Sequence, residues 1–299
     1  MSSPTPTLSS SPAPAAAAPA GLLSRAPPHV FFLMSALFHY LGPAFAVLLF
    51  AHIRPLGVAW LRISTAAVVF ALWRRPWRYW SRLDRGAQRT VIALGVVLAA
   101  MNTVFYVAID RLPLGTVGAI EFLGPVGIAA AGMRTRRNAL ALLFAVAGVY
   151  ILTDVRIAGQ PLGFVFAFAN CGLFLPYIIL GHRLARAGGT SGVDRLGASM
   201  LIAMLAALPV GIWDAAPAFS SPTLLLAAVG VGVSSSVIPY VCDQLAMARL
   251  PRARFALLLS LLPATATLIG TLVLHQRPSL AEILGVILVI LAVGIHRER

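Results

Sequence analysis

Glu121 sits in a stretch from Leu112 to Met133 that is otherwise almost wholly apolar, which makes it the first residue to ask about chemistry. A carboxylate surrounded by hydrocarbon has to be protonated, paired or facing water. A group held that way can carry protons, or it can lock helices together as a static pair. Arg62, in another apolar stretch, is the natural partner: it could pair with Glu121, capture a substrate carboxylate, or snorkel outward without any role. His39 precedes Gly42-Pro43 in a third apolar run, where an imidazole can titrate near neutral pH or serve as a neutral packing residue. Two polar stripes complete the set. Asn102, Tyr106 and Asp110 recur at i, i+4 and i+8, and Ser236, Tyr240, Asp243 and Gln244 share a face of their own. Such faces could line one cavity for a polar solute, or act as hydrogen-bonding glue between helices. Asp110 and Asp243 lie towards the ends of their segments, where they could simply be wet.

The elements that must position these groups are helices in a membrane. The chain is 59% hydrophobic and 11% charged, with a mean hydropathy of +0.89, less than half the roughly 25% charge of a soluble domain. The net charge of +14 comes entirely from arginine, without a single lysine, and the arginines cluster between apolar runs. Charge so placed sets topology and argues against a nucleic-acid partner. Cutting at those clusters predicts ten spans, at about 30–50, 57–73, 91–110, 112–132, 138–153, 161–181, 196–213, 223–247, 253–274 and 279–295, each near the ~20 residues that cross a bilayer. The fifth is short for a span and would stand upright or thin the bilayer. With the N-terminus inside, the outer loops hold only Arg54, Arg111, Arg156 and Arg277, Arg62 lies within a span, and the remaining arginines fall inside. Both termini are therefore expected in the cytoplasm, and the protein in the inner (cytoplasmic) membrane.

A repeated phrase points to internal symmetry. Arg111-Leu112-Pro113 is followed twelve residues later by Pro125, and Arg249-Leu250-Pro251 twelve residues later by Pro263. Two units of five spans must enter the membrane from opposite sides, so the expected fold is an all-α integral membrane protein of two inverted five-helix repeats, residues 27–157 and 158–299. Residues 1–26, rich in Ser, Pro and Ala, read as a disordered cytoplasmic tail. The Trp- and Arg-rich loop from Arg74 to Arg89 suits the interface. Pro43, Pro125, Pro239 and Pro263 interrupt their spans and are candidate kinks for a gating motion. Cys171 and Cys242 lack the spacing of a metal or disulfide motif, and neither HExxH nor GxSxG occurs, so neither a metal, a cofactor nor an enzymatic activity is expected.

Glu121-Phe122, Gly124-Pro125 and the preceding Leu112-Pro113-Leu114-Gly115 resemble the third-to-fourth-span element of the drug/metabolite transporter superfamily, and within it the EamA branch. Leu61-Arg62, Tyr177 with Gly181 and Arg183, and Pro239-Tyr240 extend the resemblance over nearly everything after residue 30. It implies a ten-helix inner-membrane exporter of amino acids or related metabolites, driven by protons, with Tyr177 joining Arg62, Asn102, Tyr106, Tyr240, Asp243 and Gln244 around the substrate. The sequence departs from that pattern in the ninth span. Leu261-Leu262-Pro263 stands where relatives carry Leu-Glu-Pro, and His275-Gln276-Arg277 replaces a Gly-Glu. One buried acid of the second half is thus expected to be missing, leaving Glu121, with His39 as a possible recruit, to couple transport to protons. The expected partners are a small-molecule substrate, protons and the lipid bilayer; a homodimer is left open. The competing readings are a flippase for a lipid-linked or amphiphilic substrate, and a sensor or assembly subunit that transports nothing.

Overall fold

Prolines and short polar side chains set where the helices begin. The computed structural model describes residues 27–121, 123, 136–154, 160–186, 192–250 and 262–295. The helices are α1 (Pro28–Leu49), α2 (Pro55–Arg74), the short α3 (Trp77–Trp80), α4 (Arg85–Ile109), α5 (Leu114–Glu121), α6 (Arg136–Asp154), α7 (Pro161–Arg186), α8 (Gly192–Gly211), the short α9 (Ala216–Phe219), α10 (Pro222–Gly232), α11 (Ile238–Arg249), α12 (Leu262–Leu274) and α13 (Leu280–Ile295). Pro55 and Pro222 occupy first-turn positions, where a missing N–H costs nothing. The Asp84 carboxylate accepts from Ala87 N–H at 2.7 Å to cap α4. Ser279 and Glu282 form a reciprocal capping box at the start of α13, with bonds of 2.8 and 3.2 Å. Helix α2 stops at Arg75, whose φ of 49° places it in the left-handed region.

No strand occurs among the described residues. Helices α1, α2, α4, α7, α8 and the continuous run Pro222–Arg249 are each long and apolar enough to cross a membrane. Their outward faces carry Leu33, Leu48, Leu72, Val96, Leu205 and Leu226, all exposed. An apolar outer surface around a polar interior suits lipid as the solvent, and the molecule is a multi-pass membrane protein. The expected fourth and ninth spans are described only over α5 and α12, so Pro125 lies outside the described residues. The fifth segment, expected to be short, runs as α6 for 19 residues, or about 28 Å, close to the hydrocarbon thickness.

Packing follows a regular scheme. Helix α2 packs on α8, α5 on α12 and α6 on α13; α4 lies along α7, and α11 lies along α1. Outside the bundle core, the Arg74 guanidinium pairs with the Asp194 carboxylate at 2.5 Å, and the Tyr79 hydroxyl donates to the Asp194 carbonyl. Burial, then the neighbouring Asp194 carboxylate, pushes the Tyr79 phenol above its ordinary range. The Arg74–Arg89 loop is therefore fastened to the start of α8, while Trp73 and Trp77 stay exposed for the interface.

Between α10 and α11 the chain makes a π-helical turn, Val233–Val237, followed directly by Pro239. Proline has no N–H to give to the carbonyl four residues earlier, so the Ser235 carbonyl loses its helical donor. The seam between this turn and α1 is tight: a Cβ on Gly42 would lie 2.2 Å from the Ser235 Cβ and 2.5 Å from its Cα. Gly42→Val is expected to lower the melting temperature of the purified protein by several degrees, an overpacking cost of about 1–3 kcal/mol. An unchanged melting temperature would show that the seam is slack.

Candidate functional site

Arg62 enters the bundle from the second turn of α2 and is only 3% exposed. It does not snorkel. Its Nη2 donates to the Ser235 carbonyl at 2.7 Å, its Nε to Ser236 Oγ at 2.7 Å and Nη2 again to the Tyr240 hydroxyl at 3.3 Å. The guanidinium lies 5.2 Å from the Tyr106 ring centre and 5.8 Å from that of Tyr240, in range of the ring faces that attract cations. The carbonyl freed by Pro239 is thus the anchor of the one cation in this part of the described core, and the π turn presents it.

Glu121 is the last residue given for α5 and is 1% exposed. It accepts from the Tyr40 hydroxyl at 3.1 Å and from Asn170 Nδ2 at 3.0 Å, joining α1 to α7. The direct Arg62–Glu121 pair, one of the alternatives the sequence left open, does not form; the arginine is drawn instead to the carbonyl and hydroxyls of the π turn and α11. Both charged groups nevertheless face one small cavity, with His39, Asn102, Asn170 and Tyr240. Its volume of ≈ 10 Å³ has room for about one water molecule. His39 packs edge-on to the rings of Tyr40 and Tyr240, at 5.4 and 6.4 Å.

The two polar stripes meet here. Asn102 Nδ2 approaches the Tyr240 hydroxyl at 3.3 Å and also bonds to the Leu98 carbonyl at 2.7 Å. Asn102 and Tyr240 are separated by 138 residues, the spacing of the repeated Arg-Leu-Pro phrase. Asp243 is 6% exposed rather than wet; it accepts from Ser35 Oγ at 2.5 Å and from the Tyr177 hydroxyl at 2.6 Å. Gln244 turns away from the cavity towards Gly181 and Gly192, on α7 and at the start of α8. Among the kink candidates, Pro43 lies inside α1, Pro239 follows the π turn, and Pro263 starts α12.

Tyr40, Asn170, Ser35 and Ser235 escaped the sequence reading. Asn170 could have been found as the one strongly polar residue between Pro161 and Tyr177, and Ser235 as the residue four before a proline. A second cavity, of ≈ 350 Å³, opens at the other end of α5, lined by Asp110, Arg111, Thr116, Thr271, Gln276 and Arg277 among others. There Gln276 Oε1 accepts from Leu114 N–H at 3.2 Å and caps α5.

A sealed polar core inside a bundle of apolar, lipid-facing helices defines a multi-pass membrane protein of the kind that handles polar solutes. Residues 161–296 match the EamA-like transporter family. Over 257 residues the chain is 28% identical to the threonine/homoserine exporter RhtA of Salmonella typhimurium, covering 84% of each chain, and over 251 residues it is 29% identical to that of Escherichia coli K12, covering 82% of each. A solved crystal structure with 17% identity superposes with a TM-score of 0.58, covering 91% of this chain and 98% of the other, and so shares the fold. By these matches the chain is similar to EamA-like transporters over its second half and to the threonine/homoserine exporters over most of its length.

Proposed function

We propose that this protein is a proton-coupled exporter of small zwitterionic amino acids, of the threonine and homoserine kind, in the inner membrane with both termini cytoplasmic. The observation that carries this reading is the buried pair of unlike charges, Arg62 and Glu121, that face one cavity without pairing with each other. A zwitterion supplies what each lacks: its carboxylate for the fixed guanidinium, its ammonium for Glu121. Beside Glu121, the buried Asn170 Oδ1 has no hydrogen-bond partner among the described residues, which suits it to accept from that ammonium. The cycle follows by competition. A proton arriving from outside neutralises Glu121, its hold on the ammonium weakens, and the substrate leaves past Thr116 into the larger cavity at the far end of α5.

The ten-span, inverted-repeat architecture belongs to the same proposal. Assigning α1, α2, α4, α5 and α6 to one half and α7, α8, the α10–α11 run, α12 and α13 to the other relates the strongest pairings: α4 on α7 becomes α11 on α1, α5 on α7 becomes α12 on α1, and α2 on α8, α5 on α12 and α6 on α13 map onto themselves. Asn102 and Tyr240 then touch as equivalents near the axis.

The test is uptake of a labelled amino-acid panel into energised everted inner-membrane vesicles. Accumulation of one or a few hydroxylated or small neutral amino acids, collapsed by a protonophore, is the expected result. Uptake that ignores the whole panel yet responds to added lipids would favour a flippase instead.

A further inference from the structure

Glu121 is not the only carboxylate held between α1 and α7. Asp243 is bridged by the same two helices, through Ser35 of α1 and Tyr177 of α7, as Glu121 is through Tyr40 and Asn170. The order is reversed between them. Ser35 comes five residues before Tyr40, whereas Tyr177 comes seven after Asn170, so the two helices run antiparallel past the site and the carboxylates lie at two levels about 8–10 Å apart along their axes. Between the levels stands Tyr240, its ring 5.8 Å from that of Tyr177 and 6.4 Å from His39. Among the described residues neither carboxylate takes part in an ion pair; the ion pairs there are Arg54–Asp214, Arg74–Asp194 and Arg111–Asp110. A buried carboxylate outside any ion pair is eased by a proton or a substrate ammonium as its countercharge.

Resting on the exporter reading above, we propose that Asp243 is a second proton-binding carboxylate of the transport cycle, serving the membrane face opposite to the one served by Glu121. It fills the role of the acid that the sequence comparison left missing from the second half, but from the α11 helix rather than from the ninth span. The groups around it are compatible with that role. Helix α1 faces it with Ser35, α7 with Tyr177, and its own helix brings Tyr240 and Cys242; the Arg62 guanidinium lies beyond the Tyr240 hydroxyl, and α8 keeps Asp194 and Arg195 engaged by Arg74 and the Leu184 carbonyl. In the cycle a proton passes from the Glu121 carboxyl to the Asp243 carboxylate, with the Tyr240 and Tyr177 hydroxyls and water between them. Glu121 is left as carboxylate, free to take the next ammonium, and Asp243 as carboxyl, which gives its proton to water on the cytoplasmic side.

The test compares gradient-driven accumulation in everted vesicles for wild type, Asp243→Asn, Asp243→Glu and Ser35→Ala at matched abundance. Asp243→Asn should lower accumulation by roughly a hundredfold, the scale of a lost proton-transfer group, and Asp243→Glu should restore most of it. Ser35→Ala removes a donor but keeps the carboxylate, so accumulation should persist with its pH midpoint displaced. A wild-type response to the gradient matched by Asp243→Asn would overturn this inference alone; no gradient response in wild type would overturn the exporter reading beneath it. Should Asp243→Asn fail to reach the membrane, an unmoved pH midpoint in Ser35→Ala would be the overturning result.

Discussion

Arg62→Ala should abolish transport altogether, by a factor of a hundred or more, and should weaken the fold as well. The guanidinium donates to the Ser235 carbonyl, which Pro239 cannot serve, and it also holds Ser236 and Tyr240. Truncation removes donors to a buried carbonyl and two buried hydroxyls, at a cost of about 1–3 kcal/mol, and lets the π turn relax against α1. Arg62→Lys separates the two roles. An ammonium keeps the charge but lacks the planar fork that reaches a carbonyl and a hydroxyl at once. We expect Arg62→Lys to fold at near-normal abundance, with weakened substrate binding seen as a raised KM in vesicle uptake. Full activity in Arg62→Lys would mean that only charge matters at this position; full activity in Arg62→Ala would remove the arginine from the account.

Glu121→Gln is the second large effect. The amide fits the same place, because its oxygen can accept from Asn170 Nδ2 and its NH₂ can donate to the Tyr40 hydroxyl. Abundance and melting temperature should therefore stay near wild type. What the amide cannot do is exchange a proton, so gradient-driven export should fall about a hundredfold, and the residual rate should no longer depend on pH. Glu121→Asp, shorter by one methylene, cannot reach both partners at once and should show an intermediate rate with pH dependence retained. A rate loss accompanied by lost abundance would instead mark Glu121 as a structural tie between α1 and α7.

Much of this was readable from residue types and spacing, and the reasons for the remainder are physical. Apolar runs of about twenty residues bounded by arginine locate the helices because hydrocarbon tolerates little else. The buried polar and charged groups are few enough to be picked out singly, and Arg62, Glu121, Asn102 and Tyr240 line one cavity. Depth was harder. Asp243 seemed wet because it is near the end of its segment, yet α1 and α7 cover it with Ser35 and Tyr177. Opposite charge alone left the partner of Arg62 open among several alternatives, whereas a carbonyl that Pro239 cannot serve competes just as well for a guanidinium. Proline spacing contains that information: each interior proline implies an open carbonyl four residues earlier, and asking which buried donor meets it would have led from Pro239 to Ser235 and then to Arg62. Gln244 shows the opposite limit. It shares a helical face with Tyr240, but α7 and α8 converge beside it at Gly181 and Gly192, and no pattern within one helix announces where its neighbours close in.

The central claim is that substrate and proton exchange through Glu121, and it is tested most directly by following both at once. Purified protein in liposomes with an acidic lumen and an enclosed pH indicator would be given the amino acid found in the vesicle screen. Wild type should alkalinise the lumen as substrate enters, while Glu121→Gln should show neither signal above that of empty liposomes. Substrate entry in wild type without any change in luminal pH, or alkalinisation by Glu121→Gln equal to that of wild type, would contradict the account.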